Sequence, residues 1–563
     1  MNLTSSKKAL IIKLVTSIIF LCSLSLIFIG DIQLWDHEEI EFQSQDNESL
    51  VGIYYPGNIN AGILILEGFG SDQIAVKGIA SEYAKMGFHI FTFDFSGHGR
   101  SSGKLGFDNA QTDKLANQVL QAKQILKEKA NLDDSNILML GHSMGARVAL
   151  QATLMDEKNC AGLILLGTQI NLQPNTQSEF FTGIKDSELD WIKDLSENNP
   201  PLDILLISGM WDDIIPPDAA QKLHQTLGGN DSPYNRELVI MDGVLHNYEI
   251  YSPKVLSYAK EWSADLFNLE NIENYQANTM LVRKVCWIIG LLSLFFLIGG
   301  IIKIPSLKKS SESPEEKMSA HKMVESMHIS DIKRFLAFKT LFWLFSLPLI
   351  IGLFSLFMLI PIGVPVFNLI YVGFIGGYGL TLALVYRKGK MPGTEGIFQF
   401  KNLKSEIIEL KENKKLIIYG LLIFGLITVC TTLFARTGIY YVYPLNERII
   451  WLILFTLFTI PGFLIGALEK EAVRTSKFDS PMNMVVLNLI GLFPFILFVI
   501  LYIAIGSLSG MIGGIHGLII LVLVFLMGTL LYKKTRNILF TVICQSFLIQ
   551  YLILPQGVLF GVF

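Results

Sequence analysis

The chain has 563 residues, of which 51% are hydrophobic and only 17% charged, with a formal net charge of -4. A mean hydropathy of +0.46 is too apolar for an ordinary soluble protein, and the length predicts several domains. There is no electrostatic footprint for nucleic acid and no P-loop, dinucleotide fingerprint or zinc-type Cys/His spacing; of the five cysteines, all but Cys160 lie in very apolar segments, which predicts no disulfide framework.

The first predicted element is an apolar run from Ala9 to Gly30 behind Lys7 and Lys8, interrupted only by Lys13. A secretory signal peptide is the competing reading. The run is long for such a peptide, and Asp31, Trp35 and Asp36 follow it in place of a small-residue cleavage site. Residues 1–30 are therefore expected to be an uncleaved membrane anchor.

Residues 31–275 contain nearly all the acidic groups and read as a soluble α/β domain. Its strongest motif is Gly141-His142-Ser143-Met144-Gly145, after the apolar run Ile137-Leu138-Met139-Leu140 and before Ala146-Arg147-Val148-Ala149-Leu150. Strand, sharp turn and helix are the context that a G-x-S-x-G nucleophile elbow requires. A serine becomes a useful nucleophile only when a base takes its proton and a third group orients that base. Downstream, the apolar stretch Leu205-Leu206-Ile207 runs into a loop holding Asp212 and Asp213, and Leu238-Val239-Ile240 leads to a loop holding His246. Both loops are expected at the carboxyl ends of parallel strands, where such sheets bind ligands.

Two further stretches carry a family resemblance. Asp94-Phe95-Ser96-Gly97-His98-Gly99-Arg100-Ser101 resembles the D-x-x-G-H-G-x-S signature of the α/β-hydrolase branch that contains monoacylglycerol lipases and serine aminopeptidases, and Gly209-x-x-Asp212-x-x-x-Pro216 matches the same branch. The resemblance covers about residues 40–265. It implies a mostly parallel sheet, with Asp212 rather than Asp213 as the acid of a triad, Ser143 as nucleophile and His246 as base. It also implies an oxyanion hole made by the backbone N–H groups of Met144 and Phe69. Family members usually carry His-Gly-x-Gly where this chain has Glu67-Gly68-Phe69-Gly70, so the glycines are kept and a glutamate replaces the histidine. That exchange is expected to alter loop packing or repel an anionic substrate. His98 and His142 are read as supports of the cleft. Between 167 and 202, Phe180, Phe181, Ile184, Leu189, Trp191 and Ile192 suggest a short helical cap.

Residues 280–563 predict an all-α polytopic membrane domain. Apolar runs of bilayer-spanning length, about 20 residues, fall near 281–302, 338–360, 366–386, 416–434, 449–467, 484–505, 517–532 and 538–554, nine spans with the anchor. Lys and Arg concentrate in alternate loops, at 303–339, 387–415, 470–477 and 533–536, and with nine spans these share one side with Lys7 and Lys8. The positive-inside rule makes that side cytoplasmic and the hydrolase-like domain extracytoplasmic. Arg283 and Lys284 dissent. The order Glu469-Lys470-x-x-x-Arg474, then His516, then Gln545 is faintly similar to intramembrane CPBP proteases, but Lys470, Ile512, Gln545 and Ile549 depart from that pattern, so no protease is expected.

The expected protein is a membrane-anchored serine hydrolase that cleaves an ester, thioester or amide through an acyl-enzyme, with a small-molecule, lipid or peptide acyl substrate, membrane lipid as its surroundings, and no metal, organic cofactor or nucleic acid. The alternatives are an acyltransferase using the same triad, and a transporter or lipid-handling membrane protein with an accessory hydrolase domain. Continuous uncharged helices would argue against an ion-coupled carrier.

Overall fold

A computed structural model describes residues 5–106, 110–156, 158–168, 200, 202–269, 276–302, 327–360, 363–396, 407–408, 410–411, 414–440, 448–535, 537–556 and 558–560. The proposed cap lies outside the described residues, apart from a few at its edges.

Eight strands form one sheet: β1 (Glu38–Gln43), β2 (Ser49–Tyr55), β3 (Gly62–Leu66), β4 (His89–Phe93), β5 (Ile137–His142), β6 (Gly162–Leu166), β7 (Asp203–Gly209) and β8 (Arg236–Met241). Their spatial order is β1-β2-β4-β3-β5-β6-β7-β8, with β2 antiparallel to both its neighbours and every other pairing parallel. A parallel sheet covered on both faces needs strands that are apolar on both sides. β3 shows this: Leu64 and Leu66 belong to one core, Ile63 and Ile65 to the other, and all four are fully buried. The Ala110–Ala130 and Met144–Met155 helices pack on the first face through Leu115, Val119 and Val148. Lys77–Ala84 and Pro253–Leu266 pack on the second through Ile79, Val255 and Leu256.

The rest of the described chain is almost all helix. Eight helices are long and apolar enough to cross a membrane: within Ser5–Gly30, and at 278–298, 332–358, 366–387, 417–435, 448–474, 481–504 and 508–535. The ninth expected span, Ile538–Ile553, is a helix of only 16 residues, about 24 Å at 1.5 Å per residue. Its start lies next to Lys533 and Lys534 and its end leads into Leu559, which bonds to the sheet-bearing half. It packs against the 448–474 and 508–535 helices but is shorter than the other eight.

Among the described residues the two halves meet at several places, of which four bear on the charges and loops of the junction. Asp31, at the end of the first helix, is buried against Arg283, and Lys77 stands 3.3 Å from the same carboxylate. Arg448 donates from Nη2 to the Gly97 carbonyl at 2.6 Å. Leu559 pairs through its backbone with Gly97 and Leu105. Asp213 accepts bonds from Ser507 and Ser509. The loops that supply these residues from the helical half are the ones poor in Lys and Arg. Of the basic residues that sit there against the pattern, Arg283 and Arg448 are each only 1% exposed and committed to these contacts, while Lys284 is half-buried and Arg436 exposed.

One sequence expectation is corrected here. Lys339, grouped with a basic loop, lies inside the Ile332–Met358 helix and pairs at 2.5 Å with Glu469, which also accepts from Tyr386 at 2.6 Å. The helices are therefore not uncharged. Glu469 is tied to this ion pair, His516 stacks near Tyr440, and the Gln545 amide donates to the Val524 carbonyl. The residues of the CPBP-like order have separate partners.

Arg283→Met should destabilise the protein by about 3 kcal/mol, the low end for breaking a buried ion pair, because Lys77 remains beside Asp31. Thermal unfolding in detergent should show this, and Asp31→Asn added to that variant should recover part of the loss. A double variant no more stable than the single would contradict the pairing.

Candidate active site

Ser143 begins where β5 ends. Its φ of 54° and ψ of -116° form a turn that ordinary side-chain-bearing residues rarely adopt, a conformation costing on the order of 1–3 kcal/mol. Two glycines make the turn possible. A Cβ at Gly141 would stand 2.5 Å from the Gly145 carbonyl carbon, and one at Gly145 would stand 2.2 Å from the Glu67 carbonyl oxygen. The Ser143 N–H donates to the Leu166 carbonyl at 2.8 Å, locking the turn to β6.

His246 Nε2 lies 2.9 Å from Ser143 Oγ, and Nδ1 lies 2.7 Å from Asp212 Oδ2. With Nδ1–H donating to Asp212, Nε2 is left to accept from the serine hydroxyl. The Asp212 carboxylate is itself held: its Oδ1 accepts from the N–H groups of Ile214 and Ile215 at 2.9 and 2.7 Å. The neighbouring acid turns away. Asp213 caps the start of the Leu508–Thr535 helix through Ser509 N and also bonds to Ser507. Burial pushes the His246 imidazolium toward the neutral form, but the bond to Asp212 and the charges of Asp212, Glu249 and Asp213 outweigh it and raise its pKa above the usual 6.5.

Glu249 escaped the sequence reading. Its carboxylate is fully buried, accepts from Gly209 N at 2.8 Å, and stands 3.5 Å from His142 Nε2, which also lies 3.0 Å from the His246 carbonyl. Only its spacing, three residues beyond His246, could have signalled it. His142, His246 and Glu249 bring ligand-type atoms within 4.8 Å of one another. The His142 and His246 rings already spend nitrogens on the bonds just described.

The loop after β3 passes over the serine. A Cβ at Gly68 would be 3.3 Å from Ser143 Cβ, so this loop lies against the Ser143 turn. Glu67 points inward: it is fully buried and accepts from Phe95 N at 3.0 Å. Burial, then the charges of Asp94 and Asp72, drive its pKa well above the ordinary carboxylate range. Of the two expectations for this residue, loop packing describes its position and contact with an anionic substrate does not. The D-x-x-G-H-G-x-S segment is a turn tied to itself, with Asp94 accepting from Gln73 N, Gln73 Nε2 and Arg100 N, and Ser101 Oγ donating to the Asp94 carbonyl. His98 is buried with Nδ1 on the Ser96 carbonyl, and burial lowers its pKa to about 3, which keeps it neutral.

The strand order and the turn at Ser143 give the sheet-bearing half the α/β-hydrolase fold. Residues 57–200 match the family model described as serine aminopeptidase, S33. Similar proteins include the uncharacterized protein YfhR of Escherichia coli, 22% identical over 207 residues that cover 34% of this chain and 68% of that protein. A putative esterase/lipase 2 of Mycoplasma genitalium is 34% identical over 108 residues, 18% of this chain and 36% of its own length. A monoglyceride lipase homolog of monkeypox virus is 28% identical over 120 residues, 21% of this chain and 41% of its own length. Among solved structures, the α/β hydrolase GrgF of a Penicillium species superposes with a TM-score of 0.33 at 16% identity, covering 41% of this chain and 98% of that one. The sheet-bearing half is thus similar to an esterase/lipase and a monoglyceride lipase homolog, and it is joined to a bundle of apolar helices.

Two outcomes follow for the acid loop. Asp212→Asn should lower ester hydrolysis by on the order of 10⁴, whereas Asp213→Asn should leave the rate within about tenfold, because Asp213 bonds to the helical half; the reverse ranking in a chromogenic ester assay would refute this division. The rate should also rise with pH as His246 loses its proton, through a midpoint above 6.5. A midpoint below that value would show that the Asp212 bond does not hold the imidazolium as described.

Proposed function

We propose that this protein is an extracytoplasmic, membrane-embedded serine hydrolase that cleaves acyl esters, thioesters or amides of lipid or cell-envelope molecules through an acyl-enzyme. The observation that carries the reading is the chain of bonds from Ser143 through His246 to Asp212. In this mechanism His246 takes the Ser143 proton as Oγ attacks the acyl carbon. The tetrahedral oxyanion is held by the N–H groups of Phe69 and Met144, and His246 returns the proton to the leaving group. Water then enters by the same route in reverse: His246 removes its proton, the hydroxide attacks the acyl carbon, and Ser143 leaves with the proton restored.

The orientation rests on charge. The helical-half loops that touch the hydrolase half are poor in Lys and Arg, while Lys388, Lys390, Lys477, Lys533 and Lys534 belong to the opposite ends. A lipid substrate is favoured by the surroundings of the acid loop. A shallow depression of about 370 Å³ is lined by Met210, Trp211, Asp212 and Asp213 together with Gly506 and Leu508, which lie where two membrane-length helices meet. Trp211 is 52% exposed there, and Ile503 and Ile505 continue the apolar surface toward the bundle. An acyl chain leaving the bilayer at this level meets an apolar path beside the triad's acid.

Ser143→Ala in the full chain should abolish labelling by a fluorophosphonate probe while the protein still reaches the membrane. Undiminished labelling would exclude Ser143 as nucleophile. For orientation, in a background freed of native cysteines, a cysteine at the exposed position Asn230 should react with an impermeant thiol reagent in intact cells, and one at Lys388 should not. The opposite pattern would put the hydrolase half in the cytoplasm.

A further inference from the structure

We propose that Arg448 and the Leu559–Phe560 strand, both from the helical half, hold the oxyanion loop of the hydrolase half in its working position. The inference rests on the reading of Phe69 and Ser143 given above.

Arg448 is the first residue of a membrane-length helix, yet its side chain is buried and reaches across to the Gly97 carbonyl at 2.6 Å. The same carbonyl accepts from Leu559 N at 3.0 Å, and Leu559 in turn accepts from Leu105 N at 2.9 Å. A two-residue strand near the end of the helical half is therefore stitched to the turn that holds Asp94. Its next residue, Phe560, is counted in the core of the hydrolase half with Leu66, Phe93 and Phe95. The Phe560 ring lies 5.4 Å from that of Phe69, whose other side meets His98. Phe69, itself 47% exposed, thus has one ring neighbour from each half.

Arg448 is accordingly a positioning residue: its contact is with the Gly97 carbonyl, and it acts on Phe69 through that turn, Leu559 and Phe560.

The test is a steady-state comparison with a soluble ester on the full chain in detergent. Arg448→Met should lower kcat by at least about tenfold, approaching the loss of an oxyanion donor, with KM nearly unchanged. Arg448→Lys, which keeps a cationic donor for the Gly97 carbonyl, should retain more of kcat than Arg448→Met. Phe560→Ala should lower kcat with Arg448 in place. Unchanged kcat in Arg448→Met overturns the proposal, and so does an Arg448→Lys variant no faster than Arg448→Met. If Arg448→Met does not accumulate, Phe560→Ala decides alone, and wild-type kcat there overturns the proposal. Probe labelling of Ser143→Ala separates the two levels. Labelling retained there defeats the serine-hydrolase reading itself, whereas labelling lost there with a normal Arg448→Met defeats only this inference.

Discussion

The constraint on which the rest depends is the turn at Ser143. A residue with a side chain is held at φ 54° because Gly141 and Gly145 allow the backbones of β5, the following helix and the Glu67 loop to touch. The sheet sets where that turn stands. β5 is the central parallel strand between β3 and β6, so the loops after β3, β7 and β8 open on the same edge as the serine. Strain of this size is sustained only by surroundings that over-determine it. Here those are the Ser143 N–H bond to Leu166 and the fully buried strands on either side.

The acid loop divides its work between two consecutive residues. Asp212 is turned to His246 and fastened by two backbone N–H groups, and Asp213 is turned to Ser507 and Ser509 at the head of a membrane-length helix. Together with Arg448 at the Gly97 turn, this gives the helical half one hold beside Asp212 and another beside the Phe69 loop, in addition to the contacts around Asp31.

The helical half has polar groups of its own in its interior. Lys339 and Glu469 form a buried pair, with Tyr386 on the carboxylate and Tyr378 on the Lys339 carbonyl. Asn368 bonds to Gln550 between two other helices. Charges in such places are costly unless paired, and these bonds tie the helices that carry them to one another.

Much of this was legible in the sequence because it depends on local patterns. Apolar runs predicted the buried strands and the long helices, and G-x-S-x-G between a strand and a helix marked Ser143 because only that spacing of glycines permits the turn. Asp212 and His246 could be placed in loops after strands, but choosing Asp212 over Asp213 needed a family pattern, since both side chains leave the same loop. What the sequence by itself determined is therefore the set of elements and the residue types at their ends, each fixed by neighbours a few positions away. The tertiary structure alone decided which distant groups meet: Glu249 behind His246, Lys339 with Glu469, Arg283 with Asp31, and Arg448 with the Gly97 carbonyl 351 residues away in sequence. Those pairings follow from burying charge at the junction and in the bundle, where a partner is chosen by position in space and leaves no periodicity in the chain.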